Sequence, residues 1–166
     1  MAAQVATRYC LDMAADPAEL IERLRPVRRA ERRAVAARRG LSLAQLDALA
    51  YLAACNRYSD TPAAVAEYLD VTRGTASQSL RALERKALVH RRGDEGDRRV
   101  RHLAPTSAGR DVVAEIAAGE IGTAVEALGP PVADALGDTL ERVLRTVQAR
   151  RGRVAFGVCA TCRHLR

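Results

Sequence analysis

The chain has no tryptophan, one phenylalanine and four tyrosines. A core of any size must therefore be built from Ala, Leu and Val, which favours helices packed closely side by side. No stretch approaches the roughly 18 apolar residues of a membrane span, which argues against a membrane partner. Residues 1–16 lack the basic start and continuous apolar run of a secretory signal. A cytoplasmic protein is expected, and its four cysteines (Cys10, Cys55, Cys159, Cys162) are then reduced thiols, metal ligands or redox sensors rather than structural disulfides. There is no Gly-rich phosphate loop, no acid–base pair beside the cysteines, and histidine is confined to His90, His102 and His164. A metal-dependent or thiol redox enzyme is the alternative from another class, and only the cysteine-bearing tail speaks for it.

What the chain does have is positive charge. Its 166 residues carry 27 basic against 20 acidic side chains, a formal charge of +7. Lys86 is the single lysine, so the charge is almost entirely Arg. Arg makes planar, bidentate contacts with phosphate and guanine edges. A small basic protein points first to nucleic acid, although the Arg and Ala content also fits a GC-rich coding bias.

Local signals divide the chain. Asp16-Pro17 reads as a helix cap followed by proline at the first helical position. The helix that follows carries Leu20, Ile21, Leu24, Val27 and Val35 and stops at Gly40, with Pro26 expected to kink or split it. The Arg-dense run from Arg23 to Arg39 reads as a solvated face in preference to a DNA contact. Ser42 to Gln45 has capping-box form and opens a helix with Leu46, Leu49, Leu52 and Ala53 on its apolar side, where Cys55 reads as a small core residue. After the turn-like Asn56 to Asp60, Thr61-Pro62 starts a short helix to about Leu69, and Thr72 caps another from Arg73 to Ala87. Val89 to Arg92 and Val100 to Leu103 form a basic hairpin around a Gly/Asp turn. Thr106 begins a long helix to about Leu128. Gly129-Pro130-Pro131 ends it, and a last helix places Val132, Leu136, Leu140, Val143 and Val147 on one stripe.

Two short helices followed by a basic hairpin describe a winged helix-turn-helix. In the second, Ala76, Leu80, Leu83 and Ala87 make a buried stripe, and Arg73, Thr75, Ser77, Gln78 and Arg81 face outward. These side chains suit a major groove, with Gln78 able to pair with adenine and Arg73 or Arg81 with guanine or phosphate. No acid interrupts the outward face between Arg73 and Arg81, as a merely solvated helix would allow. A winged helix that binds protein would show apolar or acidic residues there. The hairpin adds His90, Arg91, Arg92, Arg98, Arg99, Arg101 and His102. An Arg at its tip can enter the minor groove, and Asp97 can pair with Arg99 and aim it.

The stretch from Leu41 to Arg110 resembles the MarR family. The pieces that carry this are L-S-L-A-Q-L-D-A-L, V-A-E-Y-L-D-V-T-R-G-T-A-S-Q-S-L-R-A-L-E-R-K-A-L-V, D-R-R, and T-S-A-G-R. The family's wing D-x-R falls on Asp97 and Arg99, and its T-x-x-G on Thr106 and Gly109. Pro105 departs from the pattern, standing where the family has an apolar strand residue, and leaves the end of the second wing strand open. The resemblance implies a mainly α fold: a winged helix-turn-helix with long N- and C-terminal dimerisation helices and a two-stranded wing. It implies a homodimeric transcriptional regulator, usually a repressor, that binds a pseudo-palindromic double-stranded DNA operator and answers a small-molecule or redox effector. The expected organisation is an arm and dimerisation helix over 1–40, the DNA-binding domain over 41–110, C-terminal dimerisation helices over 111–150 and a Cys/His tail over 151–166.

The tail, C-A-T-C-R-H, offers Cys159, Cys162 and His164 at metal-ligand spacing. A closed site needs a fourth ligand, either Cys10 or a residue of a longer tail. A Cys3His set suits zinc or an iron–sulfur cluster, with 2Fe-2S favoured. A dithiol switch without any cofactor and an inert tail are the other readings.

Overall fold

The computed structural model describes residues 16–56, 58–93 and 101–150, with only the backbone of Arg101 described. Helix α1, Pro17–Arg38, begins as its cap signal says, with the Asp16 carboxylate accepting the Ala18 amide at 3.1 Å. Pro26 lies inside it, and the helix continues unbroken, contrary to the expected split. Proline removes one amide donor, and the carbonyl left over belongs to exposed Glu22, where water can satisfy it. The Arg-rich side of α1 is largely exposed, as expected of a solvated face, and several of its arginines are paired. Arg32 pairs with Asp47, Arg28 with Glu31, and Arg38 and Arg39 with Glu115. The pairs with Asp47 and Glu115 link the end of α1 to its neighbours.

Helix α2, Leu43–Ala54, has a complete capping box: Ser42 Oγ accepts the Gln45 amide at 3.2 Å, and Gln45 Oε1 accepts the Ser42 amide at 3.1 Å. Leu46, Ala48, Leu49, Tyr51 and Leu52 are buried, while Ala53, expected inside, is exposed. Cys55 is half-buried against the core. Helix α3, Pro62–Leu69, is capped by Thr61 and ends at Asp70 in the left-handed region, φ 55°. Helix α4, Arg73–Arg85, is capped by Thr72 and stops short of the expected end at Ala87. Ala87 lies beyond the helix at φ 54° and is exposed, so it is not part of the buried stripe.

Strands β1, Val89–Gly93, and β2, Arg101–Pro105, pair antiparallel from Val89↔Pro105 to Gly93↔Arg101. The second strand thus runs through Pro105, whose missing amide is tolerated at a strand end. The core of this unit is aliphatic. Leu46, Leu49, Val65, Leu80, Leu83, Leu103 and Val112 are fully buried, so helices α2, α3, α4 and α5 and the strand β2 all contribute.

Thr106 ties these elements together. Its hydroxyl accepts the Gly109 amide at 3.1 Å, capping helix α5, Ser107–Ala117, and donates to the Ala87 carbonyl at 2.7 Å. Its own amide donates to the Leu88 carbonyl at 3.0 Å. A Cβ at Gly109 would lie 2.1 Å from that same Leu88 oxygen, which explains why the motif ends in glycine.

The long helix expected to run to Leu128 is broken. Helix α5 ends at Ala117 and α6, Glu120–Glu126, starts afresh with Gly119 as its cap residue. Gly119 has no side chain to cap with, and Glu31 of α1 supplies one, accepting the Ile121 amide at 3.0 Å. A Cβ at Gly119 would sit 2.7 Å from Glu31 Oε1, and one at Gly122 only 1.7 Å from the Ala117 carbonyl oxygen. Arg28 bonds both Glu31 and the Ile116 carbonyl, the latter at 3.0 Å. Helix α7, Pro130–Arg150, follows α6 and has no buried residue.

Two outcomes follow. G109A should lower unfolding stability by about 2–4 kcal/mol, while A87G should raise it by about 0.5–1 kcal/mol, read from urea midpoints. The amide of Ile121, and then Arg28, hold the Glu31 carboxyl below the usual carboxylate range. A depressed carboxylate contributes stability fully above its unfolded value of about 4.3 and loses it as pH falls through the folded value. E31Q should therefore lower the urea midpoint at neutral pH and leave a smaller decline between neutral pH and about pH 3, as measured by a pH series of unfolding curves.

Candidate nucleic-acid interface

Helix α4 is held by one face and free on the other. Ala76, Leu80 and Leu83 have no exposed surface, whereas Arg73, Thr75, Gln78 and Arg81 are exposed and Ser77 is half-buried. The structure thus brings all five expected reading residues onto one helix and leaves four of them open. The start of the helix is built for close approach. Thr72 Oγ1 accepts the Thr75 amide at 3.2 Å and lies 2.9 Å from Thr75 Oγ1, so the Thr75 hydroxyl is partly engaged by the cap. Gly74 is exposed beside it.

Electrostatically the face carries Arg73 and Arg81 without an acid between them. The first acid, Glu84, is turned to use: it pairs with Arg91 of β1. Arg91 of the hairpin is thus paired within the protein while keeping exposed surface. His90 and Arg92 are exposed. His102 is also paired within the protein. Its Nδ1 contacts the carboxylate of Asp60, a buried residue in the turn before α3, and the neighbouring Leu103 amide donates to the Asp60 carbonyl at 2.8 Å. The side chains of His102 and Asp60 are 19% and 8% exposed. Sequence reasoning passed over Asp60, since nothing local links it to a strand 42 residues later.

Arg101 is the first residue of β2, opposite Gly93. Asp97, Arg98 and Arg99, read as the wing tip, lie outside the described residues, as do Cys10, Cys159, Cys162 and His164. Among the described residues no group of three or more His, Cys, Asp or Glu is placed to hold a metal ion. Among them, too, no helix is long and apolar enough to cross a membrane.

Residues 39–100 match the family model described as MarR family. Over this part the chain is similar to the MarR family. No curated protein sequence matches the chain. The fold is nevertheless well represented among solved structures. A mutant of MepR from a multidrug-resistant S. aureus clinical isolate is 24% identical, with a TM-score of 0.68 over 82% of this chain and 100% of that one. The transcriptional regulator Tm0710 from Thermotoga maritima is 22% identical, with a TM-score of 0.55 over 80% of this chain and 94% of its own. The S. aureus MepR–DNA complex is 25% identical, with a TM-score of 0.53 over 79% and 99%. The likeness extends beyond the MarR-family segment into the helices that flank it, so the mainly α winged helix with its two-stranded wing describes the architecture as found.

Proposed function

We propose that the protein is a DNA-binding transcriptional regulator acting as a homodimer, most simply a repressor. The observation that carries this is the outer face of α4: Arg73, Thr75, Gln78 and Arg81 stand exposed, free of acids, beside a hairpin that presents His90 and Arg92. MepR, a structural relative, has been seen with DNA. In this reading α4 lies in the major groove, with Gln78 on adenine, Arg73 and Arg81 on guanine or phosphate, and Ser77 and Thr75 as shorter contacts. Arg98, Arg99 and Arg101 serve the wing, with Asp97 orienting Arg99.

The dimer rests on uncovered apolar surface. Leu20, Ile21 and Leu24 on α1 and Leu140, Val143, Leu144 and Val147 on α7 are between 43% and 50% exposed. So much aliphatic surface on two terminal helices calls for a partner, and a second copy covers it with matching chemistry. A twofold dimer sets two reading helices about one turn of DNA apart, on a pseudo-palindrome. An effector has a place to act in the groove of about 640 Å3 beside α1, lined by Ile21, Leu24, Leu43 and Ile121 together with Arg25, Arg28 and Arg29. The metal or redox reading of Cys10, Cys159, Cys162 and His164 rests on residue types and spacing alone. Iron, zinc and acid-labile sulfide per chain, on protein purified without oxygen, decide it.

Selection from a random duplex pool is expected to yield a pseudo-palindromic site bound with a steep salt dependence. Q78A and R81A should each weaken that site by about 1–3 kcal/mol and relax its sequence preference. No enrichment and no salt-dependent binding would remove the DNA reading. In sedimentation equilibrium, the L140D/V143D double variant is expected to be monomeric where the parent is dimeric; a variant that remains dimeric places the interface elsewhere.

A further inference from the structure

The hairpin is anchored to the body at points of different kinds. At its base Leu103 is buried, 1% exposed, and Thr106 holds the Ala87 and Leu88 carbonyls. One residue further out on β2, His102 reaches Asp60, and across the ladder His102 stands opposite Arg92. On β1, Arg91 reaches Glu84 at the end of the reading helix. Arg91–Glu84 is a half-exposed pair, worth little as a fixed strut. The Asp60 contact differs, because burying a carboxylate is unfavourable unless a donor meets it. Against an ionised carboxylate only a protonated Nδ1 makes a hydrogen bond, so the ring orientation is set by the contact. Asp60 in turn is held through its backbone: its carbonyl accepts the Leu103 amide at 2.8 Å. Next to it the Tyr51 hydroxyl donates to the Ser59 carbonyl at 3.0 Å. The turn before α3 is thus a rigid mount, bonded to β2 by both main chain and side chain.

We propose that His102 and Asp60 form a latch that fixes the angle of the wing relative to the reading helix, so that the hairpin's arginines reach phosphate while α4 occupies the groove. This inference rests on the DNA-binding reading above and adds a positioning role for two residues that touch no DNA. Beyond His102 the ladder runs on to Gly93↔Arg101, and each further residue lengthens the lever by about 3.4 Å. A small rotation at the latch therefore displaces Arg92, which stands opposite His102 on the ladder. With the latch broken, the fold persists through Leu103, Thr106 and Gly109, and the wing loses its fixed bearing.

The test measures the salt dependence of binding to a duplex of about 30 base pairs and mixed sequence, for the full chain and for H102A, H102N and D60A. Each phosphate contact contributes about 0.9 to the slope of log affinity against log salt. H102A is expected to bind with a slope shallower by about 1–2, corresponding to one or two lost wing contacts. H102N, whose amide nitrogen stands near the place of Nδ1, should restore the slope. A residue that only stabilised the fold would lower the melting temperature and leave the slope of the folded protein unchanged. If H102A does not fold, by far-ultraviolet circular dichroism, D60A supplies the comparison, since it removes the acceptor of the His102 contact and should also flatten the slope. Unchanged slopes in the folded variants overturn the latch. A parent protein that shows no salt-dependent binding overturns the DNA reading instead, and the two failures are thereby separate.

Discussion

At the end of α4, the Thr106 hydroxyl donates to the Ala87 carbonyl while accepting the Gly109 amide, and the Leu88 carbonyl takes the Thr106 amide. Those bonds join the exit from α4, the root of the hairpin and the first turn of α5 within a few residues. The approach is so close that the Gly109 position admits no side chain. Everything outside depends on this junction. It fixes how the chain leaves α4, where β2 ends its return, and in which direction α5 carries the chain toward the terminal helices.

The aliphatic core supports the junction without directing it. Leu46, Leu49, Val65, Leu80, Leu83, Leu103 and Val112 fill one space between four helices and a strand, and burial of that kind is non-directional. Direction comes from the polar contacts laid over it: the caps at Ser42, Thr61, Thr72 and Thr106, the His102–Asp60 contact, and Glu31 on the Ile121 amide. The same division runs through the proposed activity. In that proposal a second copy covers the aliphatic surface on α1 and α7, and the oriented polar groups on α4 and the hairpin are left for the nucleic acid.

The helical starts were legible because each is a local event. Ser42, Thr61 and Thr72 bond an amide three residues on, and a reader of sequence sees both partners at once. The face of α4 was legible for a similar reason, since Ala76, Leu80 and Leu83 recur at helical spacing and leave Arg73, Gln78 and Arg81 opposite. The failures have a common cause in distant partners. The break between α5 and α6 was missed because the group that caps the new start is Glu31, 90 residues before the Ile121 amide it accepts. Ala87 fitted the apolar spacing, yet its carbonyl is taken by the Thr106 hydroxyl, outside the helix.

By itself the sequence determined which segments are helical, which face of α4 is polar, and that a basic hairpin follows it, because propensity, capping and periodicity act over a few residues. Only the tertiary structure decided which basic residues stay available. Arg32, Arg38, Arg39 and Arg91 pair with carboxylates of other elements, and His102 with Asp60, while the exposed Arg73, Arg81 and Arg92 pair with no carboxylate of the described residues. Charge is a property of composition, but its pairing depends on which side chains the packed helices bring within reach of one another.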